Sequence, residues 1–320
     1  MNTERTDVAI KSPASQFVVI PEREEQFSAH STQAHSTIAD PPWLDKTLYP
    51  FQSRQIEIEG NLIHYIDEGT GTESIIFSHG LLWSHNMFNK QIDYFKKKGN
   101  YRVIAFDFRG QGQSEVTKSG YDLETLSSDA VELIKKLDLG KVHFIGLSMG
   151  GMVGMRVAAR HPELLKSLIL LETSAEPEPV KNVGKYKRLN MVAKYFGFRL
   201  VTKSVMKIMF GKTFLNDPAR VEEKKFWIKQ LQSNNRTGIT RAVTGVFSRS
   251  GITTELTNIS CPTMIMVGDE DMATIPTESQ LIQEKIKDAS LIVIPRAGHS
   301  STIEEPDFVN KEIEKFLSNL

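Results

Sequence analysis

Short apolar runs recur along the chain from residue 54 onward, and most of them are separated by segments with helical spacing. The eight runs lie at residues 54–59, 62–67, 74–78, 102–107, 142–147, 167–172, 263–267 and 291–294. The first two alternate apolar and polar positions around Gly60-Asn61, a two-residue turn typical of a hairpin. Helical segments between the later runs indicate βαβ units. The pattern therefore predicts an α/β fold with a mostly parallel, eight-stranded sheet flanked by helices.

One long gap interrupts this alternation between the sixth and seventh runs. It spans about 90 residues, whereas such connections are usually one helix and a few loop residues. Within the gap, residues 183–210 and 221–231 carry apolar positions at three- and four-residue spacing, and Asp217-Pro218 is a favourable helix start. We therefore predict a helical insertion at residues 175–259, after the sixth strand.

The N-terminal segment differs from the rest of the chain. Residues 1–40 are rich in Ser, Thr, Gln, Glu and His, and they show neither helical nor strand periodicity. We expect a loose N-terminal arm there. The predicted core then comprises residues 41–174 and 260–320.

Composition narrows the class of protein. The 320 residues are 40% hydrophobic and 24% charged, with 39 basic and 39 acidic side chains, which favours a globular protein over a basic nucleic-acid binder. The single cysteine, Cys261, cannot form an internal disulfide or a thiolate metal site. No apolar stretch approaches the roughly 18 residues of a membrane span or resembles a signal-peptide core. We therefore expect a cytoplasmic protein that binds no nucleic acid.

The most informative motif is Gly146-Leu147-Ser148-Met149-Gly150, which follows an apolar run and precedes a helical one. A G-x-S-x-G pattern alone is weak and can mark an ordinary glycine-rich turn. Between a strand and a helix, however, it places a serine hydroxyl at the carboxyl edge of the sheet, beside a helix N-terminus. Ser148 is therefore our candidate nucleophile.

A serine nucleophile needs a base and a carboxylate that orients it. Of the eight histidines, His299 follows the last strand, at the sheet edge where catalytic loops gather. Two carboxylates remain open as its partner: Asp271, in the loop after the seventh strand, and Glu172, at the end of the sixth. We favour Asp271 and keep Glu172 as the alternative acid.

The loop after the third strand is expected to complete an oxyanion hole. Gly80 allows the backbone to turn, so that the N–H of Leu81 joins the N–H of Met149 as the two donors. His79 in the same loop is interpreted as a residue that fixes the loop. Trp83 and Met272 flank the catalytic groups and are predicted to line the substrate pocket.

These residues together resemble the α/β-hydrolase fold family. The resemblance rests on His79-Gly80, the turn at residues 107–114, the elbow at Ser148, the segment at residues 268–271 and Ala297-Gly298-His299. It covers the chain from about residue 50 to the end except the insertion, which occupies the position of the family's cap. The opening hairpin looks similar to haloalkane dehalogenases and epoxide hydrolases. Those enzymes attack with an aspartate where this chain has Ser148, which argues against both activities.

The elbow and the histidine segment look more like 3-oxoadipate enol-lactonases, esterases and perhydrolases. The resemblance implies a serine hydrolase that cleaves an ester or lactone without a metal or organic cofactor. A C–C bond hydrolase or a perhydrolase with the same residues, and a non-catalytic binding protein, stay as alternatives. Neither the acyl size nor the oligomeric state follows from the sequence.

The zero net charge conceals an asymmetry. Residues 181–250 contain 16 basic and three acidic side chains, an excess of 13 positive charges that the rest of the chain balances. Three interpretations stay open: a solvated surface over the pocket, recognition of an anionic substrate, and weak contact with an anionic membrane surface.

Overall fold

The computed structural model describes residues 49–320. The predicted arm at residues 1–40, and residues 41–48 of the predicted core, lie outside the described part. Among the described residues, no helix is both long enough and apolar enough to span a lipid bilayer.

The described residues form one eight-stranded sheet with the strand order β1-β2-β4-β3-β5-β6-β7-β8. Only β2 runs antiparallel to its neighbours, so the predicted mostly parallel α/β sheet is confirmed. The strands are β1 (Ser53–Ile58), β2 (Asn61–Glu68), β3 (Glu73–Ser78), β4 (Tyr101–Phe106), β5 (Val142–Leu147), β6 (Leu165–Leu171), β7 (Thr263–Gly268) and β8 (Ser290–Ile294).

The first two strands form the expected hairpin, but its turn lies one residue earlier than the predicted pair Gly60-Asn61, because Asn61 already belongs to β2. Ile58 pairs with Asn61, and the two residues between them, Glu59 and Gly60, have φ angles of 48° and 73°. Two consecutive positive φ angles define the type I′ turn that matches the twist of paired strands.

In the described part of the chain, eleven α-helices accompany the sheet. They are α1 (Asn89–Lys98), α2 (Leu123–Lys136), α3 (Met149–Arg160), α4 (Val180–Phe196), α5 (Thr202–Met209), α6 (Lys212–Asn216), α7 (Val221–Ser233), α8 (Arg236–Phe247), α9 (Pro276–Lys285), α10 (Ser301–Glu304) and α11 (Pro306–Leu317). Local sequence explains α2 well, because Asp122 caps its first turn by accepting from the Thr125 N–H while Leu126, Ala130 and Leu133 are buried on one face.

The core has two layers, one on each face of the sheet. On one face α2 and α3 pack together, and on the other α1 packs against α11. Strand β5 is buried along its whole length, as expected for a parallel strand covered on both faces.

The gap between β6 and β7 contains helices α4 to α8. The helical pattern at residues 183–210 is divided into two helices, because α4 ends at Phe196 and α5 begins only at Thr202. Gly197, with φ of 90°, occupies the break. Such an angle favours glycine and cannot continue an α-helix.

The order of the strands also determines where loops meet. Strand β3 lies between β4 and β5. The chain therefore runs from β3 to β4 on one side and then crosses over to β5 on the other side of β3. In an open α/β sheet this reversal creates a crevice at the carboxyl ends of the strands. The loops after β3 and β5, which carry Leu81 and Ser148, both open into that crevice.

Candidate active site

Ser148 lies on a sharp turn between β5 and α3. Its φ of 53° and ψ of −113° are unusual for a residue with a side chain. The glycines around it allow a very close approach of strand, helix and loop. A Cβ added to Gly150 would collide with the carbonyl oxygen of Ser78, and one added to Gly146 would collide with that of Gly150. The motif therefore folds into the strained elbow that its sequence predicts.

The structure brings Ser148, His299 and Asp271 together. His299 Nε2 lies 2.8 Å from Ser148 Oγ, and His299 Nδ1 lies 2.9 Å from Asp271 Oδ2. All three side chains are buried. With the imidazole proton on Nδ1, His299 donates to Asp271 and accepts from the Ser148 hydroxyl, which is the arrangement a general base requires.

Asp271 is itself held by its own loop. Its Oδ1 accepts from the backbone N–H groups of Ala273 and Thr274, at 2.7 and 3.2 Å, and its Oδ2 accepts from the Thr274 hydroxyl at 2.9 Å. These bonds fix the carboxylate so that one lone pair of Oδ2 remains directed at His299.

Glu172, the alternative acid, occupies a different environment. Its carboxyl group is fully buried and accepts from the Ser301 hydroxyl at 2.9 Å, and it makes no hydrogen bond to His299. Burial, reinforced by the charge of Asp271, raises the pKa of Glu172 well above its ordinary value. Burial therefore favours the neutral form of Glu172, and Asp271 is the carboxylate in contact with the imidazole.

The predicted oxyanion donors lie on the two loops that open into the crevice. Within residues 49–320, neither the Leu81 N–H nor the Met149 N–H donates to an acceptor. The N–H of the next residue, Leu82, is already used, because it donates to Gln111 Oε1 at 3.0 Å. Leu81 and Met149 are thus the backbone donors still available beside Ser148.

His79 fixes the loop that carries Leu81. Its Nδ1–H donates to the carbonyl of Gly80 at 2.7 Å, and its Nε2 accepts from the N–H of Phe108 at 3.0 Å. The second bond requires the neutral ring, because a protonated Nε2 could not accept it. Burial lowers the pKa of His79 to about 4, so the ring is neutral at pH 7.

Glu304 is a component that our sequence analysis missed. Its carboxyl group is buried and accepts from three backbone N–H groups, those of Gly298 and Ser300 on either side of His299 and that of Gly211 in the insertion. Burial raises the pKa of Glu304 to about 7 although these three donors oppose the shift. Glu304 therefore positions the histidine loop and ties it to the insertion.

An apolar cavity of about 140 Å³ opens beside Ser148 and His299. Most of its wall comes from the insertion. The aliphatic and aromatic part of that wall consists of Tyr186, Leu189, Ala193, Phe198, Val201, Val205, Ile208, Met209, Ile239, Val243, Val246 and Phe247. Its charged residues, Glu178 and Arg249, pair with each other at 2.8 Å.

The prediction that Trp83 and Met272 line the substrate pocket is wrong for this cavity. Met272 is 77% exposed, because the hydrogen bonds of Asp271 fold the loop so that the next two residues, Ala273 and Thr274, line the cavity. Trp83 is buried, but it packs against Phe210 and Trp227 and lines a separate cavity of similar volume. Leu81 and Leu82, on the same loop as Trp83, line the cavity beside Ser148.

Among the described residues, His64, His85 and Asp107 form a cluster with metal-ligand chemistry. Asp107 accepts from Nδ1 of both histidines, at 2.9 and 3.0 Å, and from the backbone N–H groups of His85 and Gln113. Because these four donors use both carboxylate oxygens, the cluster fits a structural network that holds the turn after β4.

Comparison with known proteins agrees with this geometry. The alpha/beta hydrolase fold family matches residues 73–306. A 3-oxoadipate enol-lactonase of Acinetobacter baylyi is 26% identical over 244 residues, which cover 76% of this chain and 88% of that protein. A non-heme haloperoxidase of Rhodococcus erythropolis is 28% identical over 270 residues, which cover 82% of this chain and 97% of that protein.

Among solved structures, a thermophilic esterase from Thermogutta terrifontis superimposes with a TM-score of 0.76 at 28% identity, covering 84% of this chain and 98% of the esterase. The family match spans well over half of the chain, and the strand order, the elbow and the histidine loop all agree with it. The chain belongs to the α/β hydrolase fold family.

Proposed function

We propose that this protein is a serine hydrolase that cleaves carboxylic esters or lactones through an acyl-enzyme intermediate. The observation that carries the proposal is the continuous hydrogen-bonded chain from Ser148 through His299 to Asp271, placed at a strained elbow beside an apolar cavity. The enol-lactonase and esterase relatives support this reaction class.

In the proposed mechanism, each step of acyl transfer uses a group of this site. Ser148 Oγ attacks the substrate carbonyl while His299 Nε2 accepts the hydroxyl proton, and Asp271 stabilises the imidazolium that results. The negative charge that develops on the carbonyl oxygen is stabilised by the N–H groups of Leu81 and Met149. His299 then donates its proton to the leaving oxygen, which leaves the acyl group on Ser148.

Deacylation repeats these steps with water. His299 accepts a proton from the water as it attacks the acyl carbon, and the same two N–H groups bind the second oxyanion. Ser148 leaves as the alcohol once His299 returns the proton. Protein groups alone perform every step of this mechanism, so it needs no metal or organic cofactor.

The cavity favours a neutral, apolar acyl group. Arg249 is the cationic residue of the wall, and its charge is already paired with Glu178, so a substrate carboxylate would have to compete for it. A cavity of about 150 Å³ in another protein accommodates benzene, and the present volume of about 140 Å³ is similar. We therefore propose acyl chains of roughly six carbons as good substrates.

The direct test compares Ser148→Ala with Ser290→Ala, a change at an exposed serine far from the elbow. With p-nitrophenyl hexanoate, Ser148→Ala should lower kcat/KM by at least about 10³-fold, because it removes the nucleophile. It should also abolish labelling by a fluorophosphonate probe. Ser290→Ala should retain both properties.

The outcomes separate the alternatives. An unchanged rate in Ser148→Ala would refute the assignment of the nucleophile. If the wild-type protein were labelled at Ser148 yet hydrolysed no ester or lactone of graded chain length, C–C bond hydrolysis or peracid formation would replace the proposal. If it were neither labelled nor active, a non-catalytic binding role would replace it.

A further inference from the structure

The outward side of helix α4 and of the turn after it exposes an unusual number of large apolar side chains. Met191, Tyr195, Phe196 and Leu200 are 54%, 63%, 71% and 69% exposed. Scattered exposed apolar residues are normal on protein surfaces, whereas a contiguous exposed apolar patch with a polar rim is characteristic of an interaction site. We call these four residues, together with Lys187, Arg188, Lys194 and Arg199, the outer face.

The charges of the outer face are of one sign. From residue 180 to residue 216 the sequence contains nine basic side chains and no acidic one. Lys187, Met191 and Tyr195 follow at four-residue intervals in one helix and therefore share one side of it. Within residues 49–320, none of the four basic side chains of the outer face forms an ion pair. No acidic side chain of the described part of the chain therefore neutralises this charge.

A basic groove adjoins the outer face. It lies between α4, α8 and the loop at residues 118–122, and its cationic side chains are Lys118, Lys194, Arg236 and Arg241. The Thr237 hydroxyl accompanies them, whereas the hydroxyls of Thr244 and Ser248 already donate to the backbone carbonyls of Thr240 and Thr244. The acidic residue of the groove, Asp122, is occupied in capping α2. Several cationic side chains in one groove provide the charged donors that bind a phosphate ester.

The inward side of α4 belongs to the active-site cavity, since Tyr186, Leu189, Asn190 and Ala193 line it. One helix therefore separates the cavity from the outer face. A partner bound to the outer face lies directly over the wall of the substrate cavity.

We propose that the outer face and the adjoining groove dock the protein on the surface of an anionic phospholipid bilayer. A bilayer offers phosphate groups to the basic side chains and an apolar layer just beneath for Met191, Tyr195, Phe196 and Leu200. A nucleic acid would satisfy the charges but would give the aliphatic side chains no partner. The inference goes beyond the proposed hydrolase activity and does not depend on it.

Vesicle sedimentation with the full chain tests the proposal. We compare vesicles of phosphatidylcholine alone with vesicles that also contain phosphatidylserine, at low and at physiological salt. The wild-type protein should bind the anionic vesicles, and added salt should weaken binding because it screens the charges. Each basic residue near such a surface strengthens binding about fivefold.

The triple variant Lys187→Glu, Arg188→Glu, Lys194→Glu should therefore bind at least about a hundredfold more weakly. The matched control reverses Lys141, Lys285 and Lys287, which are exposed at the opposite edge of the sheet and form no ion pair within the described residues. This control variant carries the same net charge as the outer-face triple variant. It should bind anionic vesicles within about twofold of the wild type. Thermal unfolding of both triples checks that they are folded.

A second variant tests the apolar half of the surface. Phe196→Ser combined with Leu200→Ser should weaken binding to anionic vesicles about tenfold or more without changing the net charge. The proposal is overturned if the wild type does not bind anionic vesicles, if both triples lose binding equally, or if the double serine variant binds like the wild type. Binding by any other part of the chain would survive the first triple and would also overturn it.

Discussion

The loops at the carboxyl edge of the sheet and the helical insertion contribute different kinds of interaction to one site. The sheet-edge residues are held by short hydrogen bonds to each other and to the backbone, as with Asp271 and His79. The insertion contributes mostly apolar side chains that shape a cavity. In the proposed function, the sheet edge therefore carries the reaction and the insertion selects the acyl group.

Charge divides the chain in the same way. The 16 basic and three acidic residues between positions 181 and 250 are balanced by an excess of acidic residues elsewhere. Among the described residues that line the cavity, Arg249 is the one lysine or arginine, and it is paired with Glu178, so the positive charge of the insertion lies mostly outside the cavity. Changes at the sheet edge should accordingly alter the rate for every ester, whereas changes in the insertion should alter which ester is preferred.

The largest expected effect is that of Asp271→Asn. An asparagine amide in this position donates to His299 Nδ1 and leaves the proton on Nε2, where the ring can no longer accept from Ser148. We expect kcat/KM to fall by about 10³- to 10⁴-fold for acetyl and hexanoyl esters alike. Steady-state hydrolysis of the two p-nitrophenyl esters measures this.

Asp269→Asn is the matched control for that variant, since it removes a carboxylate from an exposed position of the same loop. It should retain activity within about threefold. A fully active Asp271→Asn together with an inactive Glu172→Gln would reassign the acid to Glu172. A loss confined to the hexanoyl ester would contradict the division between the two regions.

A smaller effect is expected on folding stability when the pH is lowered, because His79 becomes protonated at different pH values in the folded and unfolded states. The unfolded chain protonates this ring near pH 6.5, whereas the folded protein does so only at about 4. Between these values the unfolded state binds more protons, so stability falls as pH falls. Replacement by Gln removes the titration and retains one donor and one acceptor. The stability advantage of the wild type over His79→Gln should shrink by about 2 kcal/mol between pH 7 and pH 5.

Urea unfolding of both proteins at the two pH values measures this difference, and the shared titrations of other groups cancel in it. A difference that does not change with pH would mean that the His79 ring is not held neutral. The loop that carries Leu81 would then lack the fixed hydrogen bonds that we assign to the sheet edge.

The sequence predicts those parts of the molecule that depend on local pattern. The strands are recognisable because fully buried parallel strands are continuous apolar runs, and the predicted run at residues 142–147 coincides with β5. The elbow at Ser148 is recognisable because only glycine fits at Gly146 and Gly150. The family's fold follows from these two kinds of signal.

Contacts between distant segments leave no such pattern. Glu304 acts through the N–H of Gly211, 93 positions away, and nothing around either residue indicates the partner. The direction of the Asp271 loop depends on side-chain to backbone bonds, which is why Ala273 and Thr274 line the cavity and Met272 does not. The tertiary arrangement of the insertion decides which of its apolar residues face the substrate.

The smallest expected effect tests whether the insertion determines which acyl chain is preferred. Val243 on α8 lines the cavity, so Val243→Phe should fill part of its volume. An acetyl group occupies only the space next to Ser148, whereas a hexanoyl chain reaches the wall that the new ring would occupy. We expect kcat/KM to fall about tenfold for the hexanoyl ester and to stay within about threefold for the acetyl ester, because a few methylene groups in a pocket decide specificity on this scale.

The matched control for this variant is Val221→Phe, at the first residue of α7, where the side chain is 40% exposed and does not line the cavity. It adds the same ring outside the pocket and should leave both esters unaffected. If Val243→Phe instead lowered both esters equally, the insertion would act on the catalytic groups themselves, through contacts such as that between Glu304 and Gly211. An equal loss of activity on both esters would therefore contradict the division of roles between the sheet edge and the insertion. A loss confined to the hexanoyl ester would assign recognition of the acyl chain to the insertion.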